Sequence, residues 1–268
     1  MTPAVDFDSV SIRLATPSGG LTVATDLSLS IAAGSFVTIV GPSGCGKSTL
    51  LNMAAGLLFS PAGEVRVFGE RLTGINRHAA YLFQQDALLP WRTVIDNIML
   101  GPVLQKCPRA EARENARGWM AKVGLTGFEN QFPYQLSGGM RKRAALAQSL
   151  IVDPRILLMD EPFSALDIQT RQIMENELLA LWQETGKTVM FITHDLEEAI
   201  ALADQVVVLS ARPARVKGIY PVDLERPRDV TEIRMRPDFM ELYRRIWSDL
   251  REEVGPHHGA FGPAGAHA

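Results

Sequence analysis

Residues 41–48 have the composition and spacing of a phosphate-binding loop. They read Gly-Pro-Ser-Gly-Cys-Gly-Lys-Ser, which matches the pattern G-x-x-x-x-G-K-S. Glycine lets a backbone approach phosphate oxygens where a Cβ would clash, so that N–H groups can face the anion. The ammonium of Lys47 can reach the β- and γ-phosphates of a nucleotide, and the hydroxyl of Ser48 can ligate Mg²⁺. The residues predicted to bind the nucleotide are Gly41, Pro42, Ser43, Gly44, Cys45, Gly46, Lys47, Ser48 and Thr49.

The segments on either side of this loop support the prediction. The apolar residues 36–40 are typical of a buried strand, and residues 49–55 are typical of a helix. Strand, loop and helix in this order are the context that the pattern requires. The alternative, a glycine-rich turn that binds nothing, is therefore the weaker interpretation.

Two acidic residues follow a second apolar run, residues 156–159. Ligands of a parallel sheet bind beyond the carboxyl ends of its strands, which places Asp160 and Glu161 at the predicted site. A carboxylate suits Mg²⁺, so we expect Asp160 to hold the ion directly or through a water. We expect Glu161 to act as general base toward the attacking water, a role typically worth roughly 10²- to 10⁴-fold in rate. The alternative is a pair of acidic residues that caps the next turn.

Gln84 and His194 follow two further predicted strands, residues 79–83 and 188–192. His194 could donate a hydrogen bond to the γ-phosphate or to the attacking water. The amide of Gln84 could contact both Mg²⁺ and the water, although Gln85 is a rival for that role. The predicted catalytic residues are Glu161, His194 and Gln84, and the predicted Mg²⁺-binding residues are Ser48, Gln84 and Asp160.

A second anion site is predicted where a helix begins with Ser137, Gly138 and Gly139. In the order of the fold, this helix start is far from Lys47. One chain does not need two phosphate sites for one nucleotide. We therefore expect this site to serve the ATP that is bound to a second copy of the chain.

The elements that must position these residues form an α/β fold. Residues 5–14 and 21–31 alternate between apolar and polar side chains, which predicts antiparallel strands near the N-terminus. Residues 93–151 carry helical rather than strand patterns, and from residue 156 strands alternate with helices. This alternation predicts a mostly parallel sheet covered on both faces.

The composition limits the class of protein. The 268 residues are 46% hydrophobic, which suits a full core, and the net charge of −3 offers no broad basic surface for nucleic acid. Two cysteines without a C-x-x-C pattern fit a reducing compartment. We expect no signal sequence and no membrane span, so that any link to a membrane goes through a partner.

Together, these motifs resemble those of the ATP-binding subunits of ABC transporters. In family order they are the Walker A loop at 41–48, the Q-loop at Gln84, the signature at 136–140, Walker B at 156–160 with Glu161, the D-loop at 164–167 and the switch His194. The chain looks closest to the nitrate, sulfonate and taurine importer branch, through GPSGCGKSTLLN, LLPW, LSGGM, LLMDEPFSALD, THDLEEA and ERPRD.

The resemblance implies the ABC ATPase fold: a P-loop NTPase core, an N-terminal antiparallel β subdomain and an inserted helical subdomain. Its expected bounds are 1–220 for the ATPase domain, about 88–153 for the helical subdomain, 221–254 for a C-terminal extension and 255–268 for a disordered tail. Two copies would bind head to tail around two ATP molecules, each between Lys47 of one copy and Ser137 of the other.

The resemblance also implies partners and a location. Transmembrane permease subunits would contact the chain near Leu88–Trp91, a solute-binding protein would act with them, and nucleic acid would not be a partner. The subunit would lie on the cytoplasmic side of the inner membrane, held there by the permease. The alternative for Trp91 is packing inside the helical subdomain's own core.

Two rival functions stay open, and the sequence departs from the family pattern at three positions. The rivals are a soluble ABC-type ATPase that acts on nucleic acid or ribosomes, and a nucleotide-dependent regulator without turnover. One departure is the last residue of the signature, which is Met140 instead of glutamine, as is common in this branch. Leu14 falls near the position of an aromatic residue that stacks on adenine in the family, which puts stacking in doubt. Lys142 stands where a glutamine often follows the signature.

Overall fold

The computed structural model describes residues 2–16 and 19–254, and in these ranges the chain forms two sheets and eight α-helices. The strands are β1 (Val5–Thr16), β2 (Gly19–Ile31), β3 (Phe36–Val40), β4 (Ala62–Val67), β5 (Glu70–Arg71), β6 (Ala79–Leu82), β7 (Ile156–Asp160), β8 (Thr188–Ile192), β9 (Gln205–Leu209) and β10 (Val216–Pro221). The helices are α1 (Lys47–Ala54), α2 (Val94–Ile98), α3 (Leu100–Leu104), α4 (Arg109–Lys122), α5 (Gly138–Leu150), α6 (Ile168–Thr185), α7 (Leu196–Leu202) and α8 (Pro237–Val254).

The larger sheet positions the functional residues. Its six strands run in the order β10-β9-β3-β8-β7-β6. All neighbouring pairs from β9 to β6 are parallel, and only β10 pairs antiparallel, with β9. The carboxyl ends of β3, β6, β7 and β8 therefore meet at one edge of this sheet, as the sequence predicts.

Alternating side chains of the central strands divide the core into two layers. On β3, Phe36 and Val40 pack with the helices, whereas Val37 and Ile39 pack with α1 and the smaller sheet. The polar Thr38 faces the helical side, where its hydroxyl donates to the carbonyl oxygen of Ala199 at 3.2 Å. A strand buried on both faces reads as a continuous apolar run, which is why residues 36–40 were predicted so readily.

The smaller sheet is antiparallel and has the order β2-β1-β4-β5. Helices α2 to α5 lie between β6 and β7 in the chain, and the apolar faces of α2, α4 and α5 share one core with the helical face of the larger sheet. The α/β class predicted from the sequence agrees with this architecture.

The segment after β9 contains a strand that the sequence pattern does not predict. Strand β10 forms there, and α8 begins further on, at Pro237. Strand β10 lies at a sheet edge and contains Lys217, Gly218 and Pro221, so its alternation of apolar and polar residues is weak. The tail from residue 255, expected to be disordered, lies outside the described residues.

Two arginines of the segment 225–229 attach the chain to the core after β10. Arg228 is buried and donates to the carbonyl oxygens of Ala203 at 2.6 Å and Leu224 at 2.8 Å. Burial lowers the pKa of its guanidinium to about 10. Arg226 pairs with Asp204 at 2.8 Å, and its guanidinium lies 4.3 Å from the ring centre of Trp182. These contacts attach a segment without regular secondary structure to the core.

Candidate functional site

The loop between β3 and α1 encloses the ammonium of Lys47. Lys47 is buried, and Nζ donates to the carbonyl oxygens of Gly41 at 2.8 Å and Pro42 at 3.1 Å. These bonds hold the positive charge against the concave side of the loop, where phosphate oxygens can compete for the same protons. The loop thus has the geometry of an anion-binding nest.

Glycine is required at position 46 for two separate reasons. Its φ is +121°, in a region that side chains disfavour, and a Cβ there would lie 2.7 Å from Cγ1 of Val23. Among the described residues no side chain caps the N-terminus of α1, which begins at Lys47. The first N–H groups of this helix therefore face the cleft as donors for an anion.

Ser48 and Asp160 form the next part of the site. The Ser48 hydroxyl donates to Oδ1 of Asp160 at 3.1 Å, and the Tyr81 hydroxyl donates to Oδ2 at 3.4 Å. Burial raises the pKa of Asp160, and the two hydroxyls oppose that shift. Burial and the charge of Asp160 also raise the pKa of Tyr81. A hydroxyl and a carboxylate side by side are oxygen ligands of the kind that Mg²⁺ prefers, so this pair fits the ion.

Glu161 and His194 come together at the same edge of the sheet. Nδ1 of His194 lies 3.0 Å from Oε2 of Glu161. The backbone of Glu161 has φ +42°, and its N–H donates to the carbonyl oxygen of Ile192 at 3.0 Å. A non-glycine residue in this region stores about 1–3 kcal/mol of strain, a feature that is common at functional sites.

Gln84 approaches the same group of residues from the end of β6. Its side chain is exposed, and Nε2 lies 3.5 Å from Oγ of Ser164, a long contact. Ser164 in turn donates to the carbonyl oxygen of Glu161 at 3.0 Å. Gln85 is exposed too. The structure therefore brings Gln84 toward Glu161 through one intervening hydroxyl.

A cleft of about 280 Å³ runs along the phosphate loop. Its wall includes Lys47, Ser48 and Glu161 together with the aliphatic side chains of Leu14, Leu21 and Val23. The remaining lining residues are Ser43, Gly44, Gly46, Thr49 and Arg212. Leu14, expected near the nucleotide base, does lie on this wall.

Arg212 also faces the phosphate loop, although no sequence pattern marks it. A Cβ on Gly44 would lie 3.1 Å from its Nη2, so the guanidinium stands directly beside the phosphate loop. Arg212 is exposed and makes no hydrogen bond or ion pair with any described residue. No motif contains it, because it reaches the loop from the turn between β9 and β10.

Ser137, Gly138 and Gly139 lie apart from this cleft, and none of the three is on its wall. Ser137 is the N-cap of α5, where its Oγ accepts from the N–H of Met140 at 3.3 Å. Its side chain is exposed. Six of the predicted site residues, Lys47, Ser48, Gln84, Asp160, Glu161 and His194, thus gather at one edge of the sheet, and the helix start at Ser137 stands separately.

The loop before α2 presents a tryptophan to solvent. Trp91 is 72% exposed, whereas Leu88 is buried. The side chain of Asn97 is fully buried and accepts from the N–H of Leu89 at 2.6 Å. It also donates to the carbonyl oxygens of Leu89, Arg92 and Thr93 at 3.0–3.1 Å. The alternative that Trp91 packs inside the helical core is therefore wrong: a fixed loop holds it outside.

The sequence model of the family described as "ABC transporter" matches residues 24–164, more than half of the chain. The chain belongs to the ABC transporter family. The match spans the phosphate loop, Gln84, the helix start at Ser137 and Asp160–Glu161.

Comparisons with individual proteins also place this chain among ABC ATP-binding subunits. An uncharacterized ABC transporter ATP-binding protein of Methanocaldococcus jannaschii is 48% identical over 229 residues, 85% of this chain and 84% of the relative. A taurine import ATP-binding protein of Roseobacter denitrificans is 39% identical over 258 residues, 93% of this chain and 96% of the relative. A dimeric ATP-binding cassette solved in a post-hydrolysis state with ADP and phosphate has a TM-score of 0.72 at 29% identity, covering 82% of this chain and all of that chain.

These comparisons confirm the predicted resemblance to ABC ATP-binding subunits of the importer branch, and they confirm the ABC ATPase fold. They also confirm the predicted activity, ATP hydrolysis coupled to transport. Within residues 2–16 and 19–254, no helix is both long and apolar enough to cross a membrane.

Proposed function

We propose that this ATPase subunit energises the uptake of a small anionic or zwitterionic solute of the nitrate, sulfonate or taurine class. One observation carries the hydrolytic part: Lys47, Ser48 and Glu161 line a single cleft, with Asp160 hydrogen-bonded to Ser48 and His194 3.0 Å from Glu161. The solute class rests on the importer-branch motifs and on the relative named for taurine import. No residue of this subunit needs to contact the solute itself.

Each group of residues has its own role in ATP hydrolysis. Gly41–Ser48 and Thr49 hold the phosphates through N–H groups and the Lys47 ammonium. Ser48, Asp160 and Gln84 would hold Mg²⁺, and the bound ion would neutralise the negative charge that develops on the phosphates. Glu161 accepts the proton of the attacking water, and its carboxylate is oriented by His194. Because Nδ1 of His194 faces Glu161, the other ring nitrogen, Nε2, is the one that donates a hydrogen bond to the γ-phosphate.

The site is completed by a second copy of the chain. Ser137, Gly138 and Gly139 are not on the wall of the cleft that holds Lys47, and Ser137 is exposed at the N-terminus of α5, where the helix dipole favours an anion. In a head-to-tail dimer each ATP lies between Lys47 of one copy and Ser137 of the other. The relative solved with ADP and phosphate is dimeric, which supports this arrangement.

The chain divides its functions by region. Residues 1–220 form the ATPase domain, with a helical subdomain at about 88–153, and residues 221–254 form an extension attached by Arg226 and Arg228. Permease subunits contact the loop Leu88–Trp91, which keeps this subunit on the cytoplasmic face of the inner membrane. A solute-binding protein delivers the solute to the permease, and no nucleic acid takes part.

The test uses the subunit reconstituted in liposomes with its permease and solute-binding protein. We expect taurine, an alkanesulfonate or nitrate to stimulate ATP hydrolysis and to enter the vesicles in an ATP-dependent way. Stimulation by RNA or ribosomes, with no solute-dependent turnover, would instead establish a soluble nucleic-acid-linked ATPase. ATP binding without any turnover would establish a regulator.

A further inference from the structure

Lys142 is a buried cation in a helix that begins at the second anion site. Its side chain is 4% exposed, and it lies one turn beyond Ser137 on α5. A lysine in this setting must find partners for its charge, since an unpaired buried ammonium is strongly destabilising. Its partners therefore reveal what the residue holds in place.

All of the partners lie in the segment that carries Gln84. Nζ of Lys142 donates to the carbonyl oxygen of Gln84 at 2.6 Å and to that of Phe83 at 3.4 Å. It also lies 2.9 Å from Oδ1 of Asp86, a contact of charges rather than an aligned hydrogen bond. One ammonium thus contacts Phe83, Gln84 and Asp86, three residues of the Gln84 loop.

A neighbouring arginine strengthens the link and extends it to the helix start. Nε of Arg141 donates to Oδ2 of Asp86 at 3.1 Å, so both basic residues share this carboxylate. Nη1 of Arg141 donates to the carbonyl oxygen of Leu136 at 2.7 Å, immediately before Ser137. The Gln84 loop and the Ser137 helix start are therefore joined through two side chains.

On its other side, the Gln84 loop reaches the hydrolytic residues of the same copy. The Gln84 amide meets Ser164, whose hydroxyl donates to the backbone oxygen of Glu161, and Glu161 contacts His194. A route of polar contacts therefore runs from Leu136, next to Ser137, through Arg141 and Asp86 to Lys142 and the Gln84 loop, and from Gln84 through Ser164 to Glu161. Such a route is the kind of physical connection that can carry coupling between two sites.

We propose that Lys142 is a positioning residue that couples the two ATP sites of the dimer. It fixes Gln84 relative to Ser137, so that ATP at the partner's site, bound by Ser137, aligns Gln84 and Glu161 at the copy's own site. The inference rests on the proposed head-to-tail dimer. Lys142 is not on the wall of the ATP cleft, so its effect falls on turnover and cooperativity rather than on nucleotide affinity.

The experiment is a double-mutant cycle in the full-length chain, with steady-state ATPase rates measured across ATP concentrations. We expect Lys142→Met to lower kcat by about fivefold or more with KM changed less than twofold, a typical size for coupling between sites. The Hill coefficient for ATP should fall toward 1. In a Gln84→Ala background, Lys142→Met should have less than a twofold further effect, because both changes interrupt the same route.

Lys122→Met is the matched control, because Lys122 pairs with Glu184 at the surface and is far more exposed. It should leave kcat, KM and the Hill coefficient unchanged. If Lys142→Met does not fold, Lys142→Gln replaces it in the cycle with the same expected direction, because a glutamine keeps an N–H donor in the same cavity but removes the charge that contacts Asp86.

Two results would overturn the coupling role: effects of the Lys142 and Gln84 changes that add fully, or a Hill coefficient that is 1 in the wild type or unaltered by the Lys142 change. These results are distinct from a failure of the proposed function, in which the wild-type chain would show no ATPase activity at all.

Discussion

His194 and Glu161 extend from two neighbouring parallel strands and meet with 3.0 Å between Nδ1 and Oε2. The register of β7 and β8 pairs Asp160 with Ile192, so that Glu161 lies one residue beyond its strand and His194 two residues beyond Ile192. The left-handed backbone at Glu161 and its N–H bond to Ile192 direct the carboxylate toward the histidine. The sheet itself therefore sets the distance between the proposed base and the residue that orients it.

Glu161→Gln should remove hydrolysis while ATP binding is kept. The amide has nearly the shape of the carboxylate but cannot accept the proton of water, so we expect turnover to fall by roughly 10²- to 10⁴-fold. ATP should then hold two copies together, which size-exclusion chromatography with and without ATP measures. Near-normal turnover would assign the base to another residue.

The aliphatic side chain of Leu14 on the cleft wall predicts that the protein discriminates weakly between ATP and GTP. The cleft offers Leu14, Leu21 and Val23 where an aromatic ring would stack, and stacking beyond simple burial is worth about 0.5–1.5 kcal/mol. We therefore expect the KM values for ATP and GTP to differ by less than about tenfold. A strong preference for ATP that persists in Leu14→Ala would show that another residue holds the base.

Motif residues at strand ends could be predicted from the sequence because a continuous apolar run fixes where each strand stops. Contacts between distant segments could not, since nothing local marks them. Lys142 and Gln84 are 58 positions apart, and only the packing of α5 against β6 shows that one ammonium binds that loop. Arg212 was missed for the same reason, and β10 was missed because an edge strand with lysine, glycine and proline has little pattern.

A buried pair of carboxylates predicts a loss of stability as pH rises. Burial raises the pKa of both Glu175 and Glu198, and the negative charge of Asp195 adds to both shifts. Arg171 opposes both shifts, and Arg234 opposes that of Glu175. The pKa of these acids in the folded state lies above the ordinary 4.5. Between the two values the folded state binds more protons than the unfolded state, so stability is full below pH 4.5 and falls with rising pH.

Thermal unfolding between pH 4.5 and pH 8 measures this effect. Glu198→Gln removes one titrating group, and the decline in melting temperature with pH should be shallower than in the wild type, by at most about 1.4 kcal/mol of unfolding free energy per pH unit. Glu197→Gln is the control, because Glu197 is the exposed neighbour on the same helix. Equal slopes in Glu198→Gln and the wild type would mean that Glu198 is already ionised in the folded protein.

The exposure of Trp91 predicts that its substitution impairs coupling to the membrane subunits without impairing folding. Because Trp91 is 72% exposed and Asn97 holds its loop by backbone contacts, Trp91→Ala should leave the melting temperature of the isolated subunit within about 2 °C of the wild type. Basal ATPase activity should be near normal. A large exposed tryptophan on a fixed loop is a typical interface anchor, and its truncation often weakens binding by 2 kcal/mol or more.

Assembly with the permease and transport in liposomes provide the decisive comparison. The Trp91→Ala subunit should be lost from the purified complex, and uptake of the solute should be abolished. The reason is that the loop that follows Gln84 would no longer transmit its movement to the membrane subunits. Trp247→Ala serves as control, since Trp247 is also exposed but stacks on Tyr243 of α8, in the C-terminal extension. Unimpaired uptake with Trp91→Ala would exclude a coupling role for this loop, and a collapse of the isolated subunit's melting temperature would show that the side chain supports the fold.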